Sequence, residues 1–219
     1  MKRIICFLLA SLLTFSETPV LASSDKQKKV ALTFDDGPHP RITRQILDYL
    51  DKEDIKATFF IIGCNAEQWP EIVKEEIEKG HEIGNHTYSH DEKKRRSASQ
   101  MHDDLAHADD ILRGSFGYET VLFRPPQGVC NDNVISAASD FEYKIVLWDI
   151  DTHDWAHVST ESIVSNVKQN VNEGDIILFH DYTSGESHTL DALKIIVPYL
   201  KSEGYTFATV SGLISDKTQ

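Results

Sequence analysis

The sequence predicts an α/β domain built on a parallel sheet. Short β-branched, apolar runs recur along the chain, amphipathic helical patterns stand between them, and glycines follow helical patterns just where strands are due to begin. With 219 residues, 40% of them hydrophobic, there is material for one sizeable core. No repeat, low-complexity tract or linker divides the chain, so one domain is expected.

Strand patterns fall at 29–34, 57–62, 81–84, 121–124, 143–148, 175–179 and 205–210, about seven in all. Helical patterns occupy 42–50, 68–79, 100–112, 133–138, 160–171 and 190–201. Strand-then-helix alternation favours a parallel sheet, open or closed. Gly80, Gly174 and Gly204 suit the left-handed residue that ends a helix. Pro198 lies inside the last helical pattern and predicts a kink or break there, because proline offers no backbone donor.

The N-terminus reads as an export signal. Met1-Lys2-Arg3 supplies the positive start, 4–15 an apolar run and Val20-Leu21-Ala22 a small-residue cleavage pattern, so 23–219 is expected as the mature domain, secreted or periplasmic. The run falls short of the roughly 20 apolar residues that cross a bilayer, and no later segment approaches that length, so no membrane span is expected in the mature protein. Cys6 leaves with the signal. Cys64 and Cys130 then meet an oxidising compartment, either paired or as two buried thiols. A formal charge of -13 argues against nucleic-acid phosphates and disfavours anionic polymers as partners. The dense charge run at 91–96 reads as a solvated loop.

Chemistry gathers at predicted strand ends. Thr33-Phe34-Asp35-Asp36-Gly37-Pro38 closes the first strand and enters a turn, where parallel α/β folds place their active-site loops. Successive strand side chains point to opposite faces, so Asp35 and Asp36 serve different ends unless the turn brings them together. One ligating a metal and the other handling a proton fits, although Asp-Gly-Pro alone is ordinary turn chemistry. His86 and His90 stand four apart, a spacing that one helical turn brings to a single face within reach of one ion. His102 and His107 share no face and are assigned to solvent. Two imidazoles and one carboxylate leave coordination positions open, as a catalytic site requires. An ion held there lowers the pKa of water toward ~7 and polarises a carbonyl.

His180 ends the pattern at 175–179, and Asp151-Thr152-His153-Asp154-Trp155 follows the pattern ending at Trp148. A strand-end histidine can protonate a leaving amine when a carboxylate holds its tautomer, and both Asp154 and Asp181 are available for that. Arg124-Pro125-Pro126-Gln127-Gly128 follows a short strand, and its prolines stiffen a backbone whose amides can face a developing oxyanion.

In this order the five segments 33–38, 86–90, 124–128, 151–155 and 178–180 resemble the polysaccharide deacetylase family, also called carbohydrate esterase family four or the nodulation-protein-B homology domain. The stretches 57–60 and 80–86 share the likeness, which runs from about residue 29 to 213. The resemblance implies an incomplete (β/α) barrel. It implies Asp35 as general base, Asp36, His86 and His90 as ligands of a divalent metal, and His180 as general acid tuned by Asp154. It also implies that Arg124 orients Asp35, that the backbone amide at Gln127 meets the oxyanion, and that Trp155 and Leu178 shape an acetyl pocket. His and carboxylate ligands suit zinc and admit cobalt, nickel or manganese. Gln127 departs from the family, which usually has Tyr there; the amide survives the change and the aromatic wall does not.

The activity implied is removal of N-acetyl groups from N-acetylglucosamine-containing glycans, peptidoglycan or chitin oligomers. Hydrolysis of O-acetyl esters, on xylan for example, stands second. An inactive carbohydrate-binding homologue stands third, and the intact Asp35, ligand set and His180 speak against it. Oligomeric state is not legible.

Overall fold

The computed structural model describes residues 28–91 and 97–217. The expected export signal, Cys6 and residues 92–96 of the charge run lie outside the described residues.

The chain alternates as expected. In order it forms β1 (Lys28–Asp35), α1 (Ile42–Lys52), β2 (Thr58–Ile61), α2 (Gly63–Gln68), α3 (Pro70–Glu78), β3 (Glu82–Asn85), α4 (Ala98–Phe116), β4 (Leu122–Phe123) and α5 (Asp132–Asp140). Then follow β5 (Lys144–Ile145), β6 (Ile150–Asp151), α6 (Thr160–Asn170), β7 (Ile176–His180), α7 (Thr189–Ser202), β8 (Tyr205–Phe207) and α8 (Val210–Lys217). Seven strands lie on one path, β5-β4-β3-β2-β1-β7-β6, and β8 pairs with the start of β1. The pairings are parallel.

Chain length alone forces this sheet to curl. Six strand spacings of about 4.8 Å would separate β5 from β6 by roughly 29 Å if the sheet were flat. Only residues 146–149 join Ile145 to Ile150, a reach of about 18 Å at full extension. The two ends of the path must therefore approach, and the product is the incomplete barrel.

Period-two alternation sorts β1 and β7 into two faces. Val30, Leu32 and Phe34, with Ile177 and Phe179, pack outward into the helix-facing core, where Phe34 stacks on Phe59 and Phe179 at 4.9 and 5.7 Å between ring centroids. Ala31 joins an inner cluster with Phe60, Leu122 and Val146, closed by Val210 and Leu213 of α8. Thr33 and Asp35 of β1 belong to that same inner set, and in β7 the inner set ends on Leu178 and His180. The β1–β7 register puts Asp35 beside His180.

Several local expectations are corrected. The helical pattern at 68–79 is α3, which Pro70 begins; α2 before it, ending at Gln68, was not expected. The break expected at Pro198 does not occur: α7 runs through it, held by buried Leu193, Ile196, Val197 and Leu200. The run at 143–148 supplies only the two residues of β5, and β6 follows as a separate strand. The last strand stops at Phe207 and the chain turns into α8. Gly80, Gly174 and Gly204 are left-handed, as read from the sequence. Cys64 and Cys130 are both free, Cys64 half-buried on α2 and Cys130 exposed.

Candidate active site

Asp35, Asn85, Asp151 and His180 end their strands, and Arg124 follows β4 directly, so these groups meet at the carboxyl ends of the barrel strands. There they border a cavity of about 450 Å³ lined by Asp35, Asp36, His86, His90, Gln127, Trp148, Asp151, Trp155, Leu178 and His180.

Asp35 is an inward residue of β1, 3% exposed. Extended backbone would send Asp36 to the opposite face, but Asp36 adopts a left-handed conformation (φ +76°) that turns its carboxylate back to the barrel mouth. The turn therefore does bring the two acids together. Asp36 Oδ1 lies 3.4 Å from His86 Nε2 and 3.2 Å from His90 Nε2, and Asp35 Oδ2 lies 3.8 Å from His86 Nε2.

The two histidines converge without a helix. Residues 86–90 are a loop after β3, bent by left-handed Thr87 (φ +69°) and His90 (φ +47°), and not the helical turn the spacing suggested. Asn85 Oδ1 accepts from Thr87 N at 2.7 Å and Thr87 Oγ1 from His90 N at 3.1 Å, so local side chains shape the loop.

His86 Nδ1 donates to Arg124 O at 2.7 Å, which leaves Nε2 as a lone pair aimed at the acids. Asp36 Oδ1, facing these rings, is a buried oxygen with no hydrogen-bond partner. Such an oxygen is satisfied by a cation between it and the imidazoles, and the ligand atoms of Asp36, His86 and His90 lie within 4.8 Å of one another. The donor set fits a divalent ion. In its absence burial pushes the His86 pKa down, but Asp35 and Asp36 outweigh burial and the net shift is upward.

Arg124 is wholly buried and its guanidinium donates four hydrogen bonds. Nη1 donates to Asp35 Oδ1 at 2.7 Å and to Thr33 Oγ1 at 2.9 Å. Nε donates to Val146 O and Nη2 to Leu147 O, each at 3.2 Å, while the cation lies 4.1 Å from the centroid of the Phe60 ring.

Next to Asp35 in the sheet, at the end of β7, His180 is held by Asp154, which is 1% exposed and accepts from His180 Nδ1 and His180 N at 2.8 Å each, and from Thr189 Oγ1 at 2.6 Å. Of the two carboxylates, Asp154 is the one bonded to His180; Asp181 instead accepts from Thr43 Oγ1 at 2.5 Å. Burial lowers the His180 pKa, yet the bond and charge of Asp154, with Asp35 and Asp36 behind, outweigh it and raise the value to about 9.

Trp155 stands on a short 3-10 turn, Asp154–Ala156, bracketed by left-handed His153 and His157, and half of its surface is exposed on the rim. Asp151 Oδ1 accepts from its indole nitrogen at 3.3 Å and from His153 N at 2.8 Å. Leu178 is the buried wall. Gln127 is left-handed (φ +55°) and Gly128 beside it lies against the Trp148 ring, where a Cβ would come within 2.8 Å of Cη2. Trp148 and the Asp151 carboxylate are cavity residues that motif reading left without a role; their position after a β-branched run was the available signal. His102 and His107 stay away from the cavity, His102 beside Phe141 and exposed His107 stacked on Tyr88.

A family model described as polysaccharide deacetylase matches residues 22–146. A peptidoglycan-N-acetylglucosamine deacetylase of Bacillus cereus is 42% identical over 88% of this chain and 91% of its own length. The solved structure of the peptidoglycan deacetylase PdaC from Bacillus subtilis superposes with a TM-score of 0.81 at 37% identity, over 88% of this chain and 93% of that one. A family 4 acetyl xylan esterase from Clostridium thermocellum, solved with a cobalt ion, gives 0.81 at 34% identity over 87% and 92%.

Proposed function

The chain belongs to the polysaccharide deacetylase family, and from that premise we propose that it is a metal-dependent hydrolase removing N-acetyl groups from N-acetylglucosamine-containing polysaccharide outside the cytoplasm. Residues 1–22 serve as its export signal and 23–219 as its catalytic domain. The observation that carries the reading is the presence of two held groups on one cavity: Asp35 fixed by Arg124, and His180 fixed by Asp154.

Asp36, His86 and His90 hold the ion, zinc first among those that suit the set. When bound, it supplies Lewis-acid polarisation of the acetyl carbonyl and makes water more acidic. Asp35 takes the proton from the attacking water, its second oxygen anchored on Arg124 so that the free one faces the cavity. The backbone amide of Gln127 meets the developing oxyanion. His180, with Nδ1 committed to Asp154, presents Nε2 to the leaving amine and protonates it. Leu178 and Trp155 enclose the acetyl methyl, and the Trp155 face and Gln127 meet the sugar.

Peptidoglycan is put ahead of chitin oligomers, a reading supported by the B. cereus and B. subtilis relatives, which are named for that polymer. O-acetyl ester hydrolysis is the second reading, favoured by the likeness to the acetyl xylan esterase. To test both, purified protein is incubated with peptidoglycan, chitin oligomers and acetylxylan, released acetate is measured, and the assay is repeated after chelation and zinc restoration. Acetate from N-acetylated glycans that disappears on chelation and returns with zinc is expected. No acetate from any substrate would sink both readings.

A further inference from the structure

The helix that sequence patterns did not predict touches both loops that carry the metal triad. The first amides of α2 have no side-chain cap, and they donate to the histidine loop: Gly63 N to Thr87 O at 2.9 Å and Cys64 N to Tyr88 O at 3.0 Å. At the next residue Asn65 Nδ2 donates to Asp36 O at 2.8 Å, and just before the helix Ile62 N donates to Gly37 O at 3.0 Å. Four consecutive residues, 62–65, thus bond the turn carrying Asp36 and the loop carrying His86 and His90.

These are the segments that need holding. Asp36, Thr87 and His90 are all left-handed without being glycine, a conformation that persists only where the surroundings impose it. Gly63 lets the histidine loop come close enough: a Cβ there would stand 2.9 Å from Tyr88 Cδ2 and 3.1 Å from Tyr88 Cα, both belonging to that loop. The Asn65 bond is to a backbone carbonyl, so it sets the direction of the Asp36 side chain without competing for its carboxylate.

We propose that Asn65 and Gly63 are positioning residues for the metal site, with α2 acting as a brace that sets the distance between Asp36 and the two histidines. The proposal rests on the triad reading above. It assigns to Asn65 a role that touches neither substrate nor ion, felt through Asp36.

The test is zinc affinity, measured on metal-free protein by competition with a chromophoric chelator, for the wild type, Asn65→Leu and Gly63→Ala. Leu matches the size of Asn and adds no charge beside the ion. Each variant is expected to bind zinc about tenfold more weakly, with kcat recovering as zinc is raised and, for Asn65→Leu, with the melting temperature of the metal-free protein close to wild type. Should Asn65→Leu fail to fold, Asn65→Ser carries the same expectation. Wild-type zinc affinity in a folded Asn65 variant overturns the brace and leaves the triad standing. A wild type that takes up no zinc overturns both.

Discussion

Arg124 Nη1 and Asp35 Oδ1 are 2.7 Å apart in a place where neither side chain is more than 4% exposed. The pair is further bonded to Thr33 and to two backbone carbonyls, so the arginine has no geometry available except the one that points the remaining Asp35 oxygen at the cavity. Asp35→Asn keeps the size and one acceptor for Arg124 but cannot take a proton. Acetate release should fall by about 10²–10⁴ while elemental analysis still finds one zinc per chain. Loss of zinc in that variant would mean Asp35 is a ligand.

His86→Ala removes one of the three proposed ligands and, with it, the ring whose Nδ1 donates to Arg124 O. Metal content and turnover should be lost together. Retained zinc with retained activity would show that the ion sits elsewhere.

His180 makes the metal-free protein sensitive to pH. Its folded value, about 9, lies above the ordinary 6.5, so the stabilisation it brings is complete below pH 6.5 and disappears as pH rises through 9. Thermal melts of chelated protein should drop across that window, by on the order of 3 kcal/mol at most. Asp154→Asn, which withdraws the charge that raises His180, should flatten the drop; an unchanged slope would assign it to other groups.

Glu76 is a buried carboxyl on α3 with neither oxygen hydrogen-bonded among the described residues, and burial, with Asp181 and Glu75 adding to it, holds its pKa well above 4.5. Its raised folded value means stability is lost as pH climbs from that ordinary value toward the folded one. Glu76→Met, similar in size and without the unsatisfied oxygens, should raise the melting temperature at neutral pH, by about 1–3 kcal/mol in stability. A lower melting temperature would show that Glu76 has a partner of its own.

Much of this site was legible because its groups sit at strand ends, where a motif, a strand pattern and a turn coincide in a few residues. Asp35 and His180 follow from alternation along β1 and β7. Asp36 does not: which of two adjacent acids turns to the imidazoles depends on one left-handed residue, and since both are Asp, residue type cannot tell which adopts that conformation. His86 and His90 were found by a spacing that suits a helix, although a capped loop produces the convergence. The choice of Asp154 over Asp181 needed the turn at Asp154–Ala156, which folds the carboxylate back beneath His180. α2 escaped notice because six residues are too few to show a helical period and its register is set by contacts with loops distant in sequence.

The sheet ends at β5 and β6, and the chain crosses between them in four residues, two of whose carbonyls are bonded by Arg124. A guanidinium there takes the part that a ladder of amides plays elsewhere in the barrel. Fewer backbone bonds hold this seam, so hydrogen exchange should reach 144–151 well before β1 and β7, and opening there would free the same arginine that holds Asp35. Loosening of the barrel and disarming of the base would then be one event, visible as a common exchange rate.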